Sequence, residues 1–354
     1  MSMQISLKKQ IVFGLLLLVF FAGIIEIGAR VFEVIHPSNC EFLNSDVFEK
    51  TDWFIARQIC DDMNNLVYEE NEIIYLKPNQ NFSTLNINSI GFRGAEIEDK
   101  DTFSIFVIGG STVFGVGSTS DDYTIPAILE QQISHKYNLD NFQVINAGIP
   151  FADSFRELHL IKNNILELNP DIIIIYDGWN DSVHKRSFEE AIIQKNNDEG
   201  IKFKNFPFYR TPFVINSILT ETVNEDEIIQ KENSEVINNW KNNIMEICRL
   251  GKNENFKTVI GIQPIVGLGN KILTEGESKY LDKLNSDSPE IIIGFTKQIN
   301  DLKNTCDIVI DLTKAFDESD EAIFFDQGHM SNLGNKIIAE KLANSLSPIL
   351  GSNK

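Results

Sequence analysis

The sequence is short of cysteine, of histidine and of positive charge. Its 354 residues hold four cysteines, five histidines and 31 lysines and arginines, against 51 aspartates and glutamates. Cys40, Cys60, Cys248 and Cys306 never share the CxxC spacing of a zinc or redox site. No aspartate–histidine pair has further histidine or cysteine partners close in sequence, so a metal centre is poorly supported and no organic cofactor is implied. A formal net charge of −20 repels phosphate backbones, which argues against nucleic acid as a partner. There is no internal repeat. What is present is ordinary: 42% apolar and 23% charged residues exclude collagen-like, wholly disordered and disulfide-scaffold classes. At roughly 150 residues per domain, the chain is one large domain or about two, with room for a large core.

One long hydrophobic run stands at the start. Ile11 to Ile25 are all apolar or glycine, Glu26 interrupts, and Ile27-Gly28-Ala29 resumes before Arg30. As a helix, residues 11–29 span about 28 Å, close to the roughly 30 Å hydrocarbon core of a bilayer. Lys8 and Lys9 precede the run and Arg30 follows it. The positive-inside rule then leaves residues 1–10 in the cytoplasm and the rest outside. A cleaved signal peptide followed by secretion is the competing reading, although no small-x-small cleavage site follows. Either way the rest of the chain is expected to be exported. Outside the cytoplasm a Cys40–Cys60 bridge would staple the chain beyond the anchor. The alternative is that all four cysteines are small buried hydrophobes.

Residues 30–100 show no long periodicity and read as an irregular extension, with a turn at Gly91-Phe92-Arg93-Gly94. From residue 101 to 350 the pattern changes. Short apolar runs recur at Ser104–Ile108, Phe142–Ile145, Asp171–Tyr176, Thr258–Ile262 and Asp307–Asp311, with amphipathic stretches between them. The run Ile172-Ile173-Ile174-Ile175 is apolar on both faces, which suits a strand covered by helices on both sides. The expected fold is α/β: a three-layer α/β/α sandwich on a mostly parallel, five-stranded, flavodoxin-like sheet. Residues 185–233 exceed any single crossover and read as an insertion. It is rich in phenylalanine (Phe188, Phe203, Phe206, Phe208, Phe213) and is either a lid or a small subdomain.

Ligands bind such sheets at the carboxyl ends of the strands. After the first strand comes Gly109-Gly110-Ser111-Thr112-Val113-Phe114-Gly115. It is not a P-loop, because Val116 stands where lysine is needed. It lacks the glycine spacing of a dinucleotide fingerprint, and Val113 spoils the nucleophile elbow of lipases. What remains is a serine at a strand-to-helix turn, which is equally an ordinary helix cap. After the second strand stands Asn146-Ala147-Gly148, after the third Gly178-Trp179-Asn180-Asp181. Before the last helix stands Asp326-Gln327-Gly328-His329. An aspartate three before a histidine can orient the imidazole, and Asp181 with His184 competes for that role.

Taken jointly and in this order, these four blocks resemble the SGNH subset of GDSL-type serine hydrolases, in its membrane-anchored form. The family is named for the Ser, Gly, Asn and His that match Ser111, Gly148, Asn180 and His329. Leu76-Lys77-Pro78-Asn79 and Asn88 to Gly94 also look like membrane-anchored members. The first block reads Gly-Gly-Ser-Thr rather than Gly-Asp-Ser, a common variant. The resemblance implies a serine esterase with Ser111 as nucleophile, His329 as base and Asp326 as its orienting acid. It implies an oxyanion hole from the Ser111 and Gly148 N–H groups and the Asn180 side chain. The expected substrate is an acyl ester, acetyl or short-chain, on a surface glycan. A lipid esterase or lysophospholipase, an O-acyltransferase on the same residues and a non-catalytic surface-binding module are the alternatives.

Overall fold

The computed structural model describes residues 6–35, 40–70, 74–98, 102–184 and 232–351. The insertion expected over 185–233 lies outside the described residues, save its last two. The chain divides into two units, residues 1–41 with 187–229 and residues 42–186 with 230–354.

In the first unit α1 is a 29-residue helix, Leu7–Ile35. Within it, Leu7–Phe32 is long and apolar enough to cross a membrane, with a mean hydropathy of 2.6 and nothing buried in its most apolar window. A membrane span and a signal sequence fit this helix alike. It outruns the expected 11–29 at both ends, since no proline stops it. Glu26 is answered one turn later by Arg30, whose Nε donates to Glu26 Oε1 at 3.0 Å.

The second unit corrects the expectation of irregular structure over 30–100. Trp53–Asn65 is a helix, α2, capped by Asp52, whose carboxylate accepts the Phe54 and Ile55 N–H groups. Two small antiparallel pairs follow, Tyr68–Glu70 with Ile74–Leu76 and Gln80–Asn81 with Asn86–Ile87. The helix escaped notice because three large apolar residues, Trp53, Phe54 and Ile55, lie on its exposed side. That blurs the one-sided pattern by which an amphipathic helix is recognised.

The α/β expectation holds. Strands β1 (Phe103–Gly109), β2 (Phe142–Gly148), β3 (Ile172–Asp177), β4 (Lys257–Ile262) and β5 (Ile308–Asp311) form one parallel sheet in the order 2-1-3-4-5. All four isoleucines of β3 are fully buried. On one face Ile105, Val107, Ile172, Ile174 and Val259 pack against α4 (Ile125–Tyr137) and the last long helix (Asn332–Ser345). A second group of helices, α5 (Ser154–Leu160), α7 (Asn233–Glu254) and α9 (Ser288–Lys297), packs together, with α7 laid on β4. Between α5 and α7 in sequence stands α6, Trp179–His184. Between α7 and α9 stands α8, Glu275–Leu281. The last long helix is α10.

Cysteine pairing went unread at the second pair. Cys248 on α7 is disulfide-bonded to Cys306, just before β5, across a sequence separation of 58. Cys40 and Cys60 are disulfide-bonded too. Spacing carries no information on such pairs. It is the alignment of β5 beside β4, under α7, that brings residues 248 and 306 together. Cys248→Ser is expected to lower unfolding stability by about 2–4 kcal/mol in non-reducing buffer. Denaturant melts with and without dithiothreitol check this, since reductant should erase the difference between the two proteins.

Candidate active site

Ser111 is the first residue of the short helix α3, Ser111–Phe114, directly after β1. Two neighbours crowd the step before it. A Cβ on Gly110 would lie 2.2 Å from Asn180 Nδ2 and 3.2 Å from the Ala152 carbonyl oxygen, so only glycine fits. The serine side chain meets a residue 218 positions away: Ser111 Oγ lies 2.6 Å from His329 Nε2. His329 Nδ1 lies 2.6 Å from Asp326 Oδ2, while Asp326 Oδ1 accepts the Gly328 and His329 backbone N–H groups at 2.9 and 2.7 Å. Burial pulls the imidazole pKa down, but the charge and hydrogen bond of Asp326 outweigh it and lift it above its ordinary value. Burial likewise pushes the Asp326 carboxyl up, and His329 with the two N–H groups holds it below the usual range. A serine hydroxyl facing an imidazole that a carboxylate orients is the arrangement general-base chemistry requires.

The loop carrying Asp326 and His329 is held from behind. The Phe325 ring stacks on the His329 ring, 8° from parallel with centroids 5.7 Å apart. The two residues before it are tied by Glu277, whose Oε1 accepts the Ile323 and Phe324 N–H groups at 2.9 and 3.0 Å. Its Oε2 accepts from Lys271 Nζ at 2.8 Å and from the Thr274 N–H at 2.9 Å. Glu277 and Lys271 are almost wholly buried. Burial would raise the Glu277 carboxyl; Lys271 and the three backbone donors hold it below its ordinary range. Thr274-x-x-Glu277 is visible in sequence as a capping box at the start of α8. Its second use, on a segment 46 residues away, is not.

The structure places the other expected residues as follows. Asn180, in α6, directs its side-chain NH2 between Gly110 and the Ala152 carbonyl, donating to the latter at 2.5 Å. Gly148 is the last residue of β2, and its N–H donates to Asn146 Oδ1 at 3.1 Å. Gly148 also supplies the absence of a side chain: a Cβ there would lie 2.2 Å from the Phe114 nitrogen. Asp181 is engaged by Ser154. Its carboxylate accepts the Ser154 N–H at 2.9 Å and the Ser154 hydroxyl at 2.6 Å. The His184 side chain lies outside the described residues.

The Gly91–Gly94 turn has a role that sequence did not disclose. Arg93 is buried, with Nε on Asp121 Oδ1 at 2.7 Å and Nη2 on the Thr84 carbonyl at 3.1 Å. Its Nη1 caps the Phe114 and Gly115 carbonyls at 3.1 and 2.8 Å, the exit of the helix that begins at Ser111. The guanidinium also sits over the Phe114 ring, 5.1 Å from its centroid. The segment before β1 therefore braces the helix that begins at Ser111 from its far end.

Behind Asn180 lies a knot of acids. Asp177 accepts from Trp240 Nε1 at 3.2 Å, and buried Glu157 has no hydrogen-bond partner on either oxygen among the described residues. Burial first, then the neighbouring carboxyls, pushes Asp177 and Glu157 well above their ordinary range; Asp181 is pushed up to about 6. Asp153 adds its charge to both Asp177 and Asp181. Because the folded pKa values are raised, stability from these groups is full below the ordinary carboxyl pKa and lost as pH rises through the raised values. For Asp181 that window runs from about pH 4 to about pH 6; for Asp177 and Glu157 it extends higher. Asp177→Asn removes one titrating member and keeps an acceptor for Trp240. Its melting temperature should gain on the parent's more at pH 8 than at pH 5, which thermal melts across that range would check.

A family model for GDSL-like lipases and acylhydrolases matches residues 105–342. No curated protein matches the chain. Two solved structures illustrate the likeness. The acetyl xylan esterase AlAXEase is 15% identical with a TM-score of 0.42, over 69% of this chain and 100% of that one. A lipase/acylhydrolase from Enterococcus faecalis is 16% identical with a TM-score of 0.44, over 70% and 96%. At such identities the likeness is one of fold. The family match spans well over half of the chain, which therefore belongs to the GDSL-like lipase/acylhydrolase family and is a carboxylic ester hydrolase.

Proposed function

We propose that Ser111, His329 and Asp326 are the catalytic triad of an esterase that works through an acyl-serine intermediate. The observation that carries this is the unbroken chain from Asp326 Oδ2 through both ring nitrogens of His329 to Ser111 Oγ, with both links at 2.6 Å. His329 Nε2 takes the hydroxyl proton as Oγ attacks the ester carbonyl. Asp326 accepts the Nδ1–H and stabilises the imidazolium. The negative charge that develops on the carbonyl oxygen meets the Ser111 N–H at the start of α3 and the Asn180 NH2. His329 returns the proton to the leaving alcohol, and water, activated by the same imidazole, frees the acid. The Gly148 N–H is the third donor, released from Asn146 Oδ1 as the oxyanion forms, and its lack of a side chain lets β2 approach the helix closely.

We read the substrate as an acetyl or short acyl ester on a surface glycan. The support is location. The hydrolase body follows an apolar N-terminal helix with basic residues ahead of it, and the cysteines are paired, as in oxidising compartments. This favours a single-pass protein with its N-terminus in the cytoplasm and its active site outside.

The full chain in detergent should hydrolyse p-nitrophenyl acetate. Ser111→Ala and His329→Ala should each lower kcat by about 10^4-fold or more, with the double variant little worse. Hydrolysis that persists in Ser111→Ala would overturn the triad. The acid limb of kcat/KM should have its midpoint above the ordinary histidine value of about 6.5, because the base must be neutral and its pKa is raised. Asp326→Asn should move that limb to lower pH as well as lower the rate, and a pH–rate profile reads both.

A further inference from the structure

Five non-glycine residues among those described have positive φ: Asn79, Asn138, Asn169, Asn255 and Phe151. Asparagine tolerates the left-handed region, whereas a bulky side chain there is an outlier. Phe151, at φ 69°, is third in the turn Ile149–Ala152, closed by the Ala152 N–H on the Ile149 carbonyl at 3.0 Å. Pro150 suits the second position, and the third calls for glycine or asparagine. The ring gains little from the core in exchange, since Phe151 is 58% exposed.

The turn lies against the nucleophile. The carbonyl of the next residue, Ala152, accepts from Asn180 Nδ2 and faces Gly110, one step before Ser111. Arg156 pins the turn from the other side, with Nη1 donating to the Phe151 carbonyl at 3.1 Å and to Asp153 Oδ2 at 3.2 Å. The Ser154–Asp181 bonds draw together α5 and α6, which carry the part-exposed Phe155 and Val183. An exposed aromatic held in a strained conformation beside reacting groups is the pattern of a ligand clamp, where strain persists because the surroundings enforce it.

We propose that Phe151 is a specificity-determining residue whose ring forms an apolar lip at the active site, against which the apolar face of the ester substrate packs. The inference rests on the reading of Ser111 as nucleophile and names a residue that reading does not use. That face belongs either to the acyl chain or to the alcohol, and two substrate series separate them: p-nitrophenyl esters from acetate to octanoate, and acetyl esters of alcohols of increasing apolar size.

The test is kinetics and melting of the full chain with Phe151→Ala, Phe151→Gly and Phe151→Tyr. Loss of the ring should raise KM by about 5-fold for the larger members of one series, more than for the smallest, roughly the effect of one lost apolar contact. Phe151→Tyr should restore it. Phe151→Gly should melt about 2 °C above Phe151→Ala, because glycine accepts the positive φ. A ring serving only the fold would instead lower the melting temperature in both truncations and leave selectivity unmoved. Ser111-dependent hydrolysis with flat selectivity across all three variants overturns this inference alone. Hydrolysis that does not depend on Ser111 overturns the site reading beneath it.

Discussion

The contact on which the proposed mechanism turns is a single hydrogen bond, 2.6 Å between His329 and Ser111, joining residues 218 apart. Neither end can hold that distance alone. A side chain on a loop wanders by more than the few tenths of an ångström that separate a good hydrogen bond from a poor one. Each end is therefore fastened through a different buried charged residue. On the serine side Arg93 closes the exit of α3. On the histidine side Glu277 holds the two residues ahead of Phe325, and the Phe325 ring lies flat on the imidazole. Both are paired and heavily hydrogen-bonded, which is the condition under which burying a charge is tolerated.

Asn180 is held differently. Its helix stands beside a group of carboxyls whose pKa values burial and mutual repulsion push up, with Glu157 left without a hydrogen-bond partner among the described residues. An apolar filling there would have been more stable. The stability given up is concentrated directly behind the residue that, on the proposed mechanism, faces developing negative charge. Strain at Phe151 falls in the same place, one residue from the carbonyl that Asn180 touches. Local conflicts of this kind gather where function competes with folding.

Much of this was legible in the sequence for a simple reason. The alternation of β-branched runs with amphipathic stretches is a local signal, and the fully buried β3 announced itself as four consecutive isoleucines. Three of the four blocks stand at strand ends, where such sheets place their ligands, and the fourth precedes the last long helix, so the family resemblance had short contiguous motifs to rest on. Less was legible where a residue's use depends on a distant partner. That the Gly148 N–H meets Asn146 Oδ1, and that Asp181 takes both donors of Ser154, 27 residues away, no motif announces.

Composition and periodicity by themselves determined the layer architecture and the apolar first helix, because each is written within one element; the serine, histidine and aspartate entered through the family resemblance of four short blocks. Tertiary structure alone decided that Cys248 meets Cys306, that Arg93 braces α3, that Glu277 anchors the histidine loop and that Phe151 sits strained at the lip. The physical reason is separation along the chain. Those contacts form between elements brought together only when the parallel sheet assembles, and no local pattern encodes which buried polar group will answer another.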